Sequence, residues 1–158
     1  MKKIILSIAA VFAFGLANAQ DVKYGAKAGL DNMSQNAGGT TVSASGFFVG
    51  GFAEYNLKGK IALQPGLNYH RISKDGASTA SLSIPVIAKY NVADKINILA
   101  GPTLFYSLEE TTEKTTFNLD LGGSYDITEK IFIEPRYSLG LTGLVKANHF
   151  LIGIGYKF

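Results

Sequence analysis

From Val22 to the last residue, apolar and polar positions alternate with period two. That is the period of a β-strand, whose successive side chains point to opposite faces. Eight segments carry the pattern. The first, about Val22–Asn32, sets Tyr24, Ala26, Ala28 and Leu30 against Gly25, Lys27, Gly29 and Asp31. The second, about Gly46–Leu57, sets Phe47, Val49, Gly51, Ala53, Tyr55 and Leu57 against Gly50, Phe52, Glu54 and Asn56. In the third, about Ile61–Arg71, Leu63, Pro65, Leu67 and Tyr69 oppose Gln64, Gly66, Asn68 and His70. In the fourth, about Leu82–Val92, Ile84, Val86, Ala88 and Tyr90 oppose Ser83, Pro85, Ile87 and Lys89. The second half repeats the scheme with Tyr106, Tyr125, Tyr137 and Tyr156 on the apolar faces. Asn97, Leu99, Thr103, Phe105, Asn118, Asp120, Ser124, Phe132, Glu134, Arg136, His149, Leu151 and Lys157 lie on the opposite ones.

The connections alternate in length. Lys58-Gly59-Lys60, Ala93-Asp94-Lys95 and Thr128-Glu129-Lys130 are tight, whereas Met33–Ser45, Ser73–Ser81, Leu108–Thr115 and Thr142–Ala147 are longer. Strands near the 9–11 residues of a tilted membrane crossing, joined by alternately short and long connections, predict an outer-membrane barrel. The fold class expected is all-β, an eight-stranded antiparallel up-and-down transmembrane barrel. A soluble barrel with an apolar lumen would need the reverse arrangement of faces. Wetting an exterior of Ile, Leu, Val, Phe and Tyr would cost about 25 cal/mol per Å², and hydrocarbon demands that the sheet close on itself. Pro65, Pro85, Pro102 and Pro135 all fall inside strands, where each deletes a ladder donor. Bulges or bends are expected there.

Each segment holds one tyrosine, on its apolar face. Tyr prefers the membrane–water boundary, where its ring is buried and its hydroxyl wet. Tyr24, Tyr55, Tyr90, Tyr125 and Tyr156 lie near the tight turns, Tyr69 and Tyr106 near the long connections, and Tyr137 between. They are read as an aromatic girdle, and outer-membrane lipid as the first partner.

The start of the chain reads as an export signal. Lys2 and Lys3 precede an apolar run, Ile4–Leu16, and Ala17-Asn18-Ala19 fits the small-residue cleavage pattern. Residues 1–19 are therefore taken as signal peptide and 20–158 as one barrel domain. The apolar run is too short for the roughly 20 residues of a spanning helix. There is no Cys, which removes disulfides and thiolate chemistry. With Lys2 and Lys3 gone, 13 basic residues face 12 acidic ones. That balance gives no case for nucleic acid.

An eight-stranded barrel has an interior just wide enough for side chains to fill. Lys27, Glu54, Gln64, Lys89, Asp120, Glu134, Arg136 and Lys157 are expected to form a structural polar network there, with Ser124 at similar depth. Unpaired charges in such a place would be costly. A proton or ion path is the functional alternative. Catalysis has little footing: His70 has Ser73 and Asp75 near it in sequence, and His149 is distant. No catalytic residue, cofactor or metal is assigned. Gly38-Gly39 and Gly50-Gly51 lack the spacing of phosphate loops. The loops Asn32–Ser45 and Leu108–Thr116, the latter with Glu109, Glu110 and Glu113, are the other binding candidates. Their ligand is left unknown.

Three segments carry a family resemblance. Ser83-Ile84-Pro85-Val86-Ile87-Ala88-Lys89-Tyr90, Glu134-Pro135-Arg136-Tyr137-Ser138-Leu139-Gly140-Leu141 and Gly153-Ile154-Gly155-Tyr156-Lys157-Phe158 resemble strands of the outer membrane protein beta-barrel domain family, often described as PorT-like. The resemblance implies a barrel related to OmpA- and OmpX-type domains in a Gram-negative outer membrane. It also implies a secretion role as one possibility, though PorT proteins are longer. The C-terminal alternation ending in Tyr156 and Phe158 resembles the signal read by outer-membrane assembly machinery. The leading expectation is a non-enzymatic barrel with a structural or loop-binding role. A narrow solute pore and a secretion component are the alternatives.

Overall fold

In a computed structural model the described residues are 22–158, apart from 38–39, 58, 75, 110–113 and 144–145; for 36 and 37 only the backbone is described. The segment expected to be an export signal, Gly38-Gly39, Lys58, Asp75, Glu110 and Glu113 lie outside them. Eight strands follow one another: β1 (Val22–Ala37), β2 (Thr40–Asn56), β3 (Ile61–Lys74), β4 (Ala77–Ala93), β5 (Ile96–Ser107), β6 (Thr115–Asp126), β7 (Ile131–Gly140) and β8 (Ala147–Lys157). Each pairs antiparallel with its sequence neighbour, and β8 pairs with β1, so the sheet is a closed barrel. The seam runs from Gly25↔Lys157 to Gln35↔Ala147. It is sealed at its end by the Phe158 amide, which donates to the Tyr24 carbonyl at 2.9 Å. No helix of the described residues is long and apolar enough to cross a membrane.

The alternation becomes an inside and an outside. Along β8, Leu151, Gly153, Gly155 and Lys157 are buried, while Phe150, Ile152, Ile154 and Tyr156 are exposed. The exposed set of the whole barrel includes Leu30, Phe47, Val49, Leu67, Ile98, Leu119, Leu121, Ile133 and Ile152. An apolar surface of this extent in water would oppose folding; in hydrocarbon it carries no such cost. Ala53 and Pro65 are the exception. Both are outward positions, yet they are buried, side by side, next to Tyr24.

Two long connections are shorter than expected. Strand β1 continues through Ala37 and β2 begins at Thr40, with Met33↔Ala44, Gln35↔Val42 and Ala37↔Thr40 in register. The span Met33–Ser45 is therefore mostly hairpin. Likewise β3 runs to Lys74 and β4 starts at Ala77, so Ser73–Ser81 is mostly strand, turning at Gly76 with φ of 85°. Ser, Thr and Asn are turn formers when isolated, but a neighbouring strand that continues the ladder satisfies their backbone and holds them extended. Between β5 and β6, and between β7 and β8, the longer connections remain.

The four prolines do not shift the register. In an antiparallel strand a residue directs its N–H and C=O toward the same neighbour, so proline costs a bond on one side only. The ladder skips Ala53/Pro65 between β2 and β3, but Phe52↔Gly66 and Tyr55↔Leu63 keep one register on either side. The same holds for Pro85 against β3, Pro102 against β4 and Pro135 against β6. On its other side each proline stays paired, with Val86, Thr103, Leu119 and Ile152 respectively. The expected bulges are absent from these positions. The register shift among the described pairs lies instead at Asn91/Ala93, beside a tight turn.

The three tight turns share one pattern. Tyr55-Asn56, Tyr90-Asn91 and Tyr125-Asp126 recur every 35 residues, each followed by Lys60-Ile61, Lys95-Ile96 or Lys130-Ile131. This repeat puts a Tyr, an inward amide or carboxylate, and a rim cation at the same level of three hairpins. Gly59 (φ 80°) and Lys95 (φ 65°) make the left-handed steps that tight hairpins require.

Candidate functional site

The lumen is filled by side chains, in layers. Phe52, Ile87, Leu99 and Phe132 are buried toward the tight-turn end, and Phe48, Ile72, Phe105 and Leu151 toward the other. Between and around them sit the charges. Phe rings lie over glycines of strands one or two places away: a Cβ at Gly155 would run into the Phe132 ring, one at Gly25 into Phe52, and one at Gly153 into Phe48. These glycines make room for the aromatic filling.

The lower network joins seven of the eight lumen residues expected from the alternation, together with Asp126, and Asp120 completes it. Lys27 Nζ donates to Glu134 at 3.0 Å and to Gln64 at 3.3 Å. Gln64 Nε2 donates to Glu54 at 3.3 Å. Glu54 also takes Lys89 at 3.2 Å and Lys157 at 3.4 Å. Lys157 reaches Asp126 at 3.3 Å. Arg136 lies 3.4 Å from Asp120 and 3.8 Å from Glu134, and Asp120 accepts from Thr103 at 2.7 Å. Ser124, at the level of Asn97, accepts from that amide at 3.2 Å. Four cations, Lys27, Lys89, Arg136 and Lys157, thus face four anions, Glu54, Asp120, Asp126 and Glu134. Charges so deeply enclosed persist because each has a partner. Lys27 also lies 5.6 Å from the Phe52 ring centre, and Lys89 and Lys157 lie 5.8 and 5.4 Å from that of Phe132.

At the tight-turn mouth this network forms the floor of an open cavity of about 290 Å³, with Asn56, Asn97, Asp126, Lys89 and Lys157 among its walls. Asn91 braces the adjacent turn, donating to the Ala93 carbonyl at 3.0 Å and to Asn97 at 3.1 Å.

A second cluster lies nearer the long hairpins. Asp31 receives His70 Nδ1 at 2.7 Å and His149 Nδ1 at 2.9 Å. A carboxylate only accepts, so both imidazoles donate through Nδ1. His70 Nε2 meets the Ser83 hydroxyl at 2.8 Å, and Asn68 Nδ2 donates to the same hydroxyl at 3.1 Å. Phe48 stacks on His70 and Phe105 on His149, with ring centres 5.7 and 4.6 Å apart. Alternation marked Asp31, His70, Ser83 and His149 as inward but not their convergence, which joins residues 39 and 118 apart in sequence. Ser73, near His70 in sequence, bonds Ser78 across its hairpin at 2.9 Å.

The eight tyrosines all lie on the outward face. Ladder pairs fix their heights. Tyr55 is opposite Val22, Tyr90 opposite Ile61 and Ile98, Tyr125 opposite Ile96 and Ile133, and Tyr156 opposite Ile131. Tyr24, next to Ala53, completes the tight-turn set. Tyr69 and Tyr106 both flank Leu82 at the other end, and Tyr137 sits at mid-height beside Leu121 and Phe150. Among the described residues, Phe158 is the most exposed of the large apolar ones, at 74%.

A closed antiparallel barrel, apolar outside and charged inside, defines the class of integral outer-membrane β-barrels. Within that class, the chain belongs to the outer membrane protein beta-barrel domain family, which matches residues 4–158. Its place is the outer membrane of Gram-negative bacteria. The fold is similar to that of Ail, the attachment invasion locus protein of Yersinia pestis, at TM-score 0.64 and 14% identity, covering 88% of this chain and 100% of that one. Neisserial surface protein A is similar at TM-score 0.59 and 13% identity, with 88% and 100% covered. The N-terminal barrel of Pseudomonas aeruginosa OprF follows at TM-score 0.50 and 15% identity, with 84% and 97% covered. No curated protein matches the chain.

Proposed function

We propose that this chain is a non-enzymatic integral barrel that reinforces the outer membrane and displays two β-hairpins, β1–β2 and β3–β4, on the cell surface. The observation that carries this reading is the filled lumen. Ion pairs and Phe rings occupy the interior from the Glu54–Lys89 pair up to the Asp31–His149 pair, and the cavity above the lower network opens at the tight-turn end. Tight turns and both ends of the described chain share that end, which in such barrels faces the periplasm.

Catalysis has a specific candidate in the chain Ser83, His70, Asp31, whose bond order is that of a nucleophile, base and orienting acid. Accessibility argues against it. Ser83, His70 and Asp31 are each 1% exposed, so a substrate cannot reach the hydroxyl. Asn68 further occupies that hydroxyl as a donor. The cluster reads as an internal brace that satisfies two histidines with one carboxylate.

The strand β8 is proposed as the segment that outer-membrane assembly machinery engages, through Tyr156 and the outward Phe158. Planar-bilayer recording tests the main reading. Purified barrel should insert without producing conductance steps. Reproducible steps would favour the narrow pore, and co-purification with a large envelope complex would favour a secretion component.

A further inference from the structure

One outward position breaks the rule of the whole surface. Across the outward faces of the eight strands, Arg71 is the single charged residue. The other outward positions from the tight turns up to its level are uncharged, and apart from Thr115 beside Tyr106 they are apolar or glycine. Arg71 is exposed, on β3, one outward step beyond Tyr69. Across the ladders it stands between Phe47 on β2 and Ala80 on β4. Phe47 in turn pairs with Leu30 on β1. Its level is thus the top of the apolar belt, in line with Leu30 and Phe47.

The next level up is polar on all four strands. Asn32, Ser45, Ser73 and Ser78 form one continuous rung, through the pairs Asn32↔Ser45, Ser45↔Ser73 and Ser73↔Ser78. Asn32 Nδ2 donates to Ser45 Oγ at 2.9 Å, so the Ser45 hydroxyl proton is left to point outward. Ser73 and Ser78 share one bond at 2.9 Å, which likewise leaves one hydroxyl proton to donate. On the β4 side its ladder partner is the short Ala80.

We propose that Arg71, with the Asn32–Ser45–Ser73–Ser78 rung above it, docks the phosphorylated sugar headgroup of an outer-leaflet glycolipid. A cation facing hydrocarbon is costly and is placed where its head reaches the interface. The end of the barrel with the long hairpins faces outward, so the anion at that depth is a lipid phosphate. A guanidinium fork matches phosphate oxygens in pairs. The hydroxyls and the Asn32 amide suit the sugar that carries the phosphate. Phe47 and Leu30 on the same level suit the start of its acyl chains. Charge complementarity selects this occupant: a sheet edge or protein partner would need no lone cation at the lipid boundary.

The test uses the full folded barrel in a phosphate-free maltoside detergent. Bisphosphorylated lipid A and its dephosphorylated form are titrated, with binding read by native mass spectrometry. The wild-type barrel should prefer the phosphorylated lipid by about tenfold, and rising salt should erode that preference. Arg71→Gln should abolish most of the preference, whereas Arg71→Lys should keep part of it. Lys60→Gln, at the opposite mouth, should keep all of it. Heat-modifiable gel mobility confirms that each variant is folded. Equal wild-type affinity for the two lipids would overturn the proposal whatever the variants do. So would full retention of the preference in Arg71→Gln, or complete competition by inorganic phosphate at the lipid's own concentration.

Discussion

The Lys27–Glu134 pair offers a sharp test of the buried charge network. Lys27 is 3% exposed and Glu134 4%, and their charged atoms lie 3.0 Å apart. Replacing Lys27 with Met removes the cation but keeps most of its stem. Glu134 then retains only Arg136, at 3.8 Å, and Gln64 loses the donor at 3.3 Å. Breaking one side of a buried pair costs about 3–5 kcal/mol. The residual Arg136 contact places this case toward the lower bound, about 3 kcal/mol. Glu134→Gln alone should cost a similar amount, because Lys27 is then left with only two neutral amide oxygens, one of them from Gln64. The double variant should cost about 3 kcal/mol, no more than either single change, since replacing both ions together leaves neither as an unpaired buried charge. Against a summed single cost of about 6 kcal/mol, that is a coupling of about 3 kcal/mol, at the top of the range for residues in direct contact. The assay is urea equilibrium unfolding in phospholipid vesicles, followed by far-ultraviolet circular dichroism and gel mobility, because the chain has no Trp. Strictly additive effects would refute the claim that the two side chains stabilise the lumen as a pair.

Three further outcomes follow from the same interior. Gly155→Ala drives a methyl into the Phe132 ring and should destabilise by about 1–3 kcal/mol; Gly59→Ala, in an open turn, should act only through its φ of 80° and should not respond to trimming Phe132 to Leu. Asp31→Leu leaves the Nδ1 donors of His70 and His149 without an acceptor and should cost about 2–6 kcal/mol for the two orphaned groups; a neutral result in the same urea assay would remove the brace. Deleting Phe158 also removes the amide that closes onto Tyr24. Its proposed role in assembly predicts slower folding by the cellular machinery than in vitro, read as accumulation of unfolded chain in a pulse-chase experiment.

The barrel was legible in the chain because one period runs through nearly all of it. Lys89 and Tyr90, or Glu134 and Pro135, could not share a face in any strand, so each pair sorted one residue to the lumen and one to lipid. Depth was legible too: Tyr55, Tyr90 and Tyr125 fall at a constant 35-residue spacing that fixes three hairpins at one level. The hairpin tips were less so. Thr40–Ser45 and Ser73–Ser78 are rich in residues that also favour turns, and only the partner strand decides between the two. Prolines misled for a related reason. A missing N–H removes one bond, and the remaining ladder is strong enough to hold the register at Pro65, Pro85, Pro102 and Pro135. The Asp31–His70–His149 cluster depends on the stagger of three strands around the barrel. Alternation along one strand carries no record of that stagger. Arg71 was visible as a charged residue at the end of a segment, but its meaning needed the knowledge that every other outward position is uncharged.

The inside-out barrel itself is tested most directly by heat-modifiable gel mobility of protein taken from fractionated membranes. The protein should leave the outer-membrane fraction only with detergent and should migrate faster unheated than boiled, as a closed barrel resists detergent until heated. A protein recovered from the soluble fraction without detergent, with one mobility heated and unheated, would contradict the account.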